Sequence, residues 1–425
     1  MTQFMSKIWS SPSARNVGKL LSANIVAQAI GILVYPVLTR IYSPDDFALL
    51  SLFTSIVGAL TLLATAEYQY AIVLPKEENK ARALVHLCLL ITVVLVGVLC
   101  LSLPFSSMIA NIFKAPELAH WWWAVPVSVA SVSIWNILNY WYIRSGAFTR
   151  ISGYQISQSL LSMGAKIGFG ALKWMRGGLI LATVLAPILS LAMSIGMAWK
   201  KYLRPLSLVR RKEVHEVAVE YANFPKFNLF RALVNSVGQS LPIWLLTPWF
   251  GLEDVGKLSL ALMAAFVPLN IIARACYQVL FQRVSKLVQM RLPIMPSLMR
   301  FMGWIGACMV VVMPAVYIFV PQLVRVLFGA EWIDSATIIR LLFPYIMLTP
   351  ICGSICFLSD IFAKQKIAMW METGYVASVA VALFMGSQGG SFLTAITAYA
   401  WVGFGYLFIQ LIWFISLVRQ YQRTL

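Results

Sequence analysis

Twelve apolar segments, each long enough to cross a membrane as a helix, follow one another along this chain with short polar turns between them. A helix needs about 20 mainly apolar residues to span the hydrocarbon core of a bilayer. The segments, called spans 1 to 12 below, lie at residues 17–40, 46–73, 83–111, 120–143, 153–172, 178–199, 227–250, 256–281, 297–320, 336–358, 367–386 and 391–417. Since irregular backbone is not tolerated against lipid, the pattern predicts an all-α polytopic membrane protein.

The charge composition excludes a soluble protein. Charged residues make up 11% of the chain, whereas soluble domains carry about 25%. The net charge of +18 would indicate nucleic acid in a soluble protein, but here we expect membrane lipids as partners and no nucleic acid. The cysteines lie in apolar segments and the histidines are scattered, so we expect no disulfide, no metal site and no cofactor.

Basic residues are distributed unevenly between the two sides of the membrane. With the N-terminus placed in the cytoplasm, 22 of the 33 Lys and Arg residues fall on the cytoplasmic side and six on the other. Cytoplasmic loops of membrane proteins carry such an excess, so we expect both termini to be cytoplasmic. The first fifteen residues contain no apolar core of a signal peptide, and span 1 is therefore expected to be retained.

An internal repeat relates the two halves of the chain. Residues 38–52 align without gaps on residues 246–260 with six identities, which pairs spans 1 and 2 with spans 7 and 8. Six spans per unit give both units the same orientation. The repeat predicts two six-helix lobes around a central cavity, related by a pseudo-twofold axis along the membrane normal, and this arrangement is typical of a transporter.

The expected domains follow from this repeat. We predict an N-terminal lobe at residues 1–199, a basic cytoplasmic linker at 200–226 and a C-terminal lobe at 227–425. The linker combines Lys and Arg residues with glutamates, which favours an interfacial segment that contacts anionic lipids.

Three segments carry a resemblance to a known family. They are YPVLTRIYSPDDFALLSLF (35–53), EYQYAIVLPKEENKA (67–81) and VLFGAEWIDSA (326–336). These segments are similar to parts of bacterial polysaccharide transporters of the Wzx type, the O-antigen and exopolysaccharide flippases. The resemblance extends over nearly the whole chain in length, helix count and the location of these segments.

The resemblance implies the fold of the multidrug/oligosaccharidyl-lipid/polysaccharide exporter superfamily, working by alternating access. The implied substrate is an undecaprenyl-diphosphate-linked oligosaccharide, moved from the cytoplasmic to the outer leaflet of the bacterial inner membrane. The protein is then a transporter and not an enzyme, with other polysaccharide-assembly membrane proteins as further partners.

Three basic residues within the spans are candidates for binding an anionic substrate. Ionisable side chains inside a bilayer are costly, so they usually face a cavity or a partner. Arg274, about two turns from the cytoplasmic end of span 8, is expected to bind a lipid diphosphate or a sugar acid; the alternative is a structural ion pair. Arg231 in span 7 and Lys166 in span 5 are expected to line the entrance and the exit, and snorkelling is the alternative for both.

Glu67 is the acidic candidate. The repeat aligns Ala66–Gln69 on Ala275–Gln278, one residue out of the first register, which places Glu67 in span 2 opposite Cys276 and near the depth of Arg274. One hypothesis is a gate in which Glu67 pairs with Arg274 until an anion replaces the carboxylate. A second is ion coupling through a protonatable Glu67, and a third is a solvated residue near the cytoplasmic end.

Paired amides lie one helical turn apart on the symmetry-related spans 1 and 7. The pairs are Asn24 with Gln28 and Asn235 with Gln239. Sugars need directional donors and acceptors, so these side chains are expected to bind an oligosaccharide. Hydrogen bonding between helices is the alternative for each pair.

Two other functions compete with a flippase. A small-molecule exporter of drugs or cations in the same superfamily would favour an acidic cavity. A membrane-embedded polysaccharide polymerase would call for a large outer loop with arginines or acids, but the longest one, about 321–335, has one arginine and two acids. The sequence also contains no cluster of a nucleophile, a metal ligand and a general acid, which argues against catalysis.

Overall fold

The computed structural model describes residues 28, 30–198, 210–423 and 425. The described residues are mostly α-helical, and no β-strand occurs among them. They form two compact units, divided between Ser236 and Val237, inside a helix that follows the predicted linker. The predicted lobe boundaries stay a prediction.

The described residues of the first unit form a succession of helices. Residues 30–38 are helical (α1). The helices that follow are α2 Pro44–Thr65, α3 Glu78–Leu101, α4 Ser106–Ile112, α5 Glu117–Trp121, α6 Ala124–Arg144, α7 Phe148–Ala171, α8 Met175–Ala198 and α9 Arg211–Glu220. A 3₁₀ helix at Tyr68–Val73 follows α2.

The second unit begins within a helix of 61 residues, α10 Leu229–Gln289. The later helices are α11 Met295–Leu327, α12 Ile333–Leu341, α13 Phe343–Ile355, α14 Leu358–Ile361, α15 Gln365–Gln388 and α16 Phe392–Arg423. Gly251 interrupts α10 with φ 85° and ψ −179°, so residues 229–250 and 252–289 form two helical segments.

The prediction of an all-α polytopic membrane protein is confirmed. Within the described part of the chain, eight helices are long and apolar enough to cross a membrane, and every predicted span overlaps helical structure. Helices α6 and α7 have the required length, with 21 and 24 residues, but they carry amides and hydroxyls. Such helices face other protein or a polar surface more readily than lipid.

The repeat is visible in the helix breaks. Ser43 begins α2 with a capping box, in which its hydroxyl accepts from the Asp46 backbone N–H and the Asp46 carboxylate accepts from the Ser43 backbone N–H. Gly251, which interrupts α10, is the residue that the alignment of 38–52 with 246–260 pairs with Ser43. The two halves therefore break their helices at the same aligned position by different local chemistry.

The repeat also extends to turns that the sequence comparison missed. Helices α7 and α15 are both 24 residues long, and each is preceded and followed by a residue of positive φ. Matching turns carry Lys114 and Gly329 (φ 47° and 106°), Gly146 and Ala363 (68° and 53°), and Lys173 and Gly390 (57° and 73°). A positive φ recurs in these turns although residue identity does not, because Lys and Ala as well as Gly can adopt a positive φ at a single position.

Helix α9, which falls within the predicted linker, packs against other helices of the first unit. Val217 is buried there among residues of α3 and α6, and the Tyr68 hydroxyl donates to the Ala218 carbonyl at 2.9 Å. An exposed ion pair joins Lys80 and Glu220 at 2.8 Å, and the hydrogen bond from Lys80 lowers the pKa of Glu220. Exposed pairs of this kind contribute little, so the apolar contact of Val217 is what holds the helix.

The segment 326–336, which carries part of the family resemblance, is joined to α10 by polar contacts around Lys257 that we call the clamp. The Lys257 ammonium lies 2.8 Å from the Asp334 carboxylate and 2.9 Å from that of Glu253. The Ser335 hydroxyl donates to the Lys257 carbonyl at 2.9 Å, and Trp332 is fully buried. The clamp fixes the segment 252–289 against α12.

Candidate functional site

One face of the first segment of α10 carries three exposed polar side chains. Arg231, Asn235 and Gln239 follow one another at a spacing of four residues and are all exposed. A spacing of four residues places side chains on the same helix face, whereas Gly238, Leu241 and Pro242 are buried. The amide pair predicted for span 7 therefore shares its face with Arg231.

The second segment of α10 carries a similar stripe. Asn270, Arg274 and Gln278 are exposed at the same spacing of four residues, over about 12 Å of helix. No carboxylate of the described residues pairs with Arg274. Within that part of the chain, the alternative of a structural ion pair therefore has no support. Asn270 and Gln278 were not among the sequence candidates, although their spacing from Arg274 was a readable signal.

The opposite face of this segment explains the orientation of Arg274. Ala273 is buried, and the Ser354 hydroxyl donates to its carbonyl at 3.5 Å. A Cβ at Gly353 would lie 3.2 Å from the Ala273 methyl group, so α13 and α10 approach closely at this point. This contact turns Arg274 away from the core of the second unit. A cation facing lipid at the bilayer centre costs about 3 kcal/mol or more. We therefore expect the side chains of this stripe to face a polar surface.

The depth of Arg274 differs from the prediction. Span 8 was expected to end at residue 281, but the helix continues to Gln289. Arg274 therefore lies about four turns from the helix end instead of two. The continuation is stabilised by Leu280 and Val284, which are buried among residues of α11, α13 and α16.

Lys166 is the buried cation of the first unit. Only 7% of the surface of Lys166 is exposed, and among the described residues no carboxylate forms an ion pair with it. Its carbonyl accepts from the Tyr42 hydroxyl at 2.7 Å, and Gly170, one turn further on, packs against Ile41 and Tyr42. Such burial disagrees with snorkelling, because a snorkelling side chain keeps its ammonium group in water.

Glu67 lies outside the helix in which it was predicted. Helix α2 ends at Thr65, and both Ala66 and Glu67 adopt left-handed backbone conformations with φ 46° and 63°. The residue is 3% exposed, which disagrees with a solvated side chain, and its carboxylate accepts from the Gln69 amide at 3.4 Å. The alignment of Glu67 with Cys276 pairs a turn residue with a helical one, because Cys276 lies within the helical segment 252–289.

The turn around Glu67 is rich in polar groups. The Tyr70 and Tyr140 rings lie 4.8 Å apart with their hydroxyls within electrostatic range of the carboxylate. Thr65 Oγ1 and Gln69 Oε1 are buried without a hydrogen-bond partner in the described residues. A buried carboxyl surrounded by phenols and acceptors can hold a proton or bind a small cation.

Two further candidates complete the predicted set. Gln28 is helical and half-buried, while Asn24 lies outside the described residues. In the described part of the chain no group of three His, Cys, Asp or Glu side chains could hold a metal ion.

The chain matches the sequence model of a family described as polysaccharide biosynthesis protein over residues 37–337. A comparison with curated protein sequences gives no match.

Solved structures of transporters share the fold over almost the full length of the chain. An inward-facing multidrug resistance MATE family transporter of the MOP superfamily matches with a TM-score of 0.69 at 15% identity, covering 94% of this chain and 99% of its own. The lipid II flippase MurJ, in an inward closed conformation, has a TM-score of 0.70 at 13% identity, covering 95% and 90%. A MOP superfamily transporter from Pyrococcus furiosus has a TM-score of 0.62 at 14% identity, covering 96% of both chains.

Proposed function

Because this chain belongs to the family of polysaccharide biosynthesis proteins, we propose that it is a flippase for an undecaprenyl-diphosphate-linked oligosaccharide. It moves this substrate from the cytoplasmic to the outer leaflet by alternating access, for assembly of O-antigen or exopolysaccharide. The observation that carries the proposal is the combination of a polysaccharide-family sequence with a fold that a lipid II flippase shares.

The charges within the helices support an anionic, hydroxyl-rich substrate. Arg274 lies between two amide side chains on an exposed stripe of a spanning helix, and a guanidinium can bind a diphosphate with two parallel hydrogen bonds. The amides of Asn270, Gln278, Asn235 and Gln239 provide both donors and acceptors for sugar hydroxyls. In this proposal Arg274 binds the diphosphate, and Arg231 captures phosphate at the entrance.

Lys166 and Glu67 have separate roles in the proposal. Lys166 supplies positive charge in the first unit, where its burial strengthens attraction to an anion. Glu67 acts as a gate or as the ion-coupling group, supported by its burial beside the oxygens of Thr65 and Gln69, which have no hydrogen-bond partner in the described residues. The predicted orientation completes the proposal, with both termini in the cytoplasm and the protein in the bacterial inner membrane.

A gene deletion tests the substrate and the direction. We expect lipid-linked repeat units to accumulate on the inner leaflet of the deletion strain, and the wild-type gene to restore surface polysaccharide. Arg274→Ala should restore at least tenfold less, because a charge-assisted hydrogen bond contributes about 1.5–3 kcal/mol. Arg325→Ala, which changes an exposed arginine on another helix, is the matched control and should restore it fully.

The competing functions give different results in the same strain. Normal surface polysaccharide together with increased sensitivity to cationic drugs would identify a small-molecule exporter. Accumulation of single repeat units on the outer leaflet would identify a polymerase. Either result contradicts the flippase.

A further inference from the structure

Three chain segments meet at one end of the second unit, around Tyr421 near the end of α16. The Tyr421 hydroxyl donates to the Leu292 carbonyl at 3.5 Å, in the turn between α10 and α11. The Tyr421 ring lies 5.6 Å from that of Phe362, in the turn between α14 and α15. These contacts bring the ends of α10, α14 and α16 together in what we call the basic end.

The basic end carries a strong excess of positive charge. In residues 283–300, 356–366 and 415–423 there is a single carboxylate, Asp360. The basic residues are Arg283, Lys286, Arg291, Arg300, Lys364, Lys366, Arg419 and Arg423. Arg291, Lys364 and Arg419 come from the three segments that meet at Tyr421, and all three are exposed.

A shallow apolar cleft lies immediately inside the basic end and is open to the surface of the second unit. It is lined by side chains of α11, α13, α14 and α16 without a polar residue among them: Met295, Leu298, Met299, Met302, Ile355, Leu358, Phe414, Ile415 and Val418. Arg300 and Arg419 follow lining residues directly in the sequence. Cations therefore border an apolar cleft at one end.

The cleft belongs to the lipid-facing side of the second unit. Met299 lines the cleft from helix α11 and is itself 41% exposed. Large apolar side chains exposed on a spanning helix are satisfied by contact with acyl chains. A ligand in the cleft is therefore reached from the bilayer.

From this geometry we propose that the cleft and the basic end form a binding site for an anionic phospholipid. The phosphate contacts Arg291, Lys364 and Arg419, and the start of one acyl chain lies along the open side of the cleft between α11 and α16. Basic pockets between helices at the membrane surface attract anionic head groups. A shallow, open cleft favours a resident lipid over a transported substrate, which has to leave the protein on the other side.

The site is tested with the full-length protein in phosphatidylcholine nanodiscs that contain a trace of phosphatidylglycerol with a photoactivatable acyl chain. After irradiation, mass spectrometry should locate cross-links on Met295–Met302 and on Phe414–Val418. Arg291→Gln with Arg419→Gln should weaken labelling about thirtyfold, because each basic residue near the surface contributes about fivefold. The matched control, Lys114→Gln with Arg325→Gln, removes two exposed cations elsewhere and should leave labelling unchanged.

A second variant tests the apolar half of the site. Met299 lines the cleft and is 41% exposed, so Met299→Trp should fill the cleft without disturbing the core and abolish the acyl-chain cross-links. Equal labelling by a phosphatidylcholine probe would overturn the proposed selectivity for an anionic lipid. Displacement of the probe by undecaprenyl phosphate at lower concentration than by phosphatidylglycerol would overturn the phospholipid as the occupant.

Discussion

At the level of single residues, the two cations in the helices of the two units have opposite environments. Lys166 is almost fully buried within the first unit, while Arg274 is exposed on the second. A buried ammonium group costs several kcal/mol unless it finds a counter-charge, and an exposed guanidinium in a spanning helix needs a polar surface. Both positions are therefore costly for folding and understandable as sites that meet an anion.

Glu67 shows how the immediate backbone determines the role of a side chain. The two left-handed residues at 66 and 67 end the helix and place the carboxylate in the interior of the first unit. A left-handed non-glycine residue costs about 1–2 kcal/mol, so this turn stores strain that the surrounding packing has to offset. Strained backbone of this type is common at functional sites.

Glu67→Gln tests whether the negative charge is required. The amide retains the size and a hydrogen bond to Gln69, so we expect a normally folded protein with at least tenfold less surface polysaccharide. Glu331→Gln changes an exposed carboxylate in the second unit and should have no effect. If Glu67→Gln supports normal polysaccharide, neither gating nor ion coupling requires this carboxylate.

The dependence of transport on a proton gradient separates the two proposed roles. If Glu67 couples transport to protons, the transport that remains in Glu67→Gln should no longer depend on a proton gradient. If the carboxylate acts as a gate, the remaining transport should keep the dependence of the wild type.

At the level of elements, the helix cores followed from hydropathy and several helix ends did not. Span 2 was predicted to continue to residue 73, but α2 ends at Thr65, where no Gly or Pro marks the turn. The cause is tertiary, because Tyr68 and Ile72 of the following 3₁₀ helix are buried in the core shared with α3 and α6. Hydropathy does not distinguish a buried 3₁₀ helix from one more turn of the same span.

Gly329 and Lys114 make an element-scale prediction because they occupy matching turns. Gly329 has φ 106° and ψ 171°, a region open essentially to glycine alone, so Gly329→Ala should cost about 1–3 kcal/mol. Lys114 has φ 47°, and Lys114→Gly should relieve its strain and stabilise the protein by about 0.5 kcal/mol after the entropy cost of glycine.

Thermal unfolding in detergent measures both effects. Gly306→Ala is the control for Gly329→Ala, since a Cβ at Gly306 meets nothing within 4 Å and the residue is helical. This control should unfold at the wild-type temperature or above it. An unchanged unfolding temperature for Gly329→Ala would show that the turn does not need a glycine.

At the level of the whole molecule, the excess of positive charge is predicted to lie mainly on the cytoplasmic side of the membrane. The resemblance of the fold to known transporters covers nearly the full chain, but identity of 13–15% carries no information on orientation. The bias of 22 cationic residues to one side and six to the other is the basis for placing both termini in the cytoplasm.

Cysteine labelling tests the orientation with two positions that bracket α16. In a background whose six native cysteines are replaced by alanine, Ser391→Cys and Gln420→Cys introduce exposed thiols at opposite ends of this helix. An impermeant maleimide added to cells with a permeabilised outer membrane should label Ser391→Cys and not Gln420→Cys. The reverse pattern would invert the predicted topology.

The sequence by itself determined the class of fold, the helical nature of the apolar segments and the repeat at the first helix break of each half. These properties depend on the cost of transferring each short segment into lipid, which is a sum over local residues. Only the tertiary structure decided that Lys166 is buried, that Glu67 lies in a turn and that Lys257 is clamped by Asp334. Each of these depends on a contact between residues far apart in the chain, such as the bond from Tyr42 to Lys166 across 124 positions. No local pattern of hydropathy or spacing encodes such a contact.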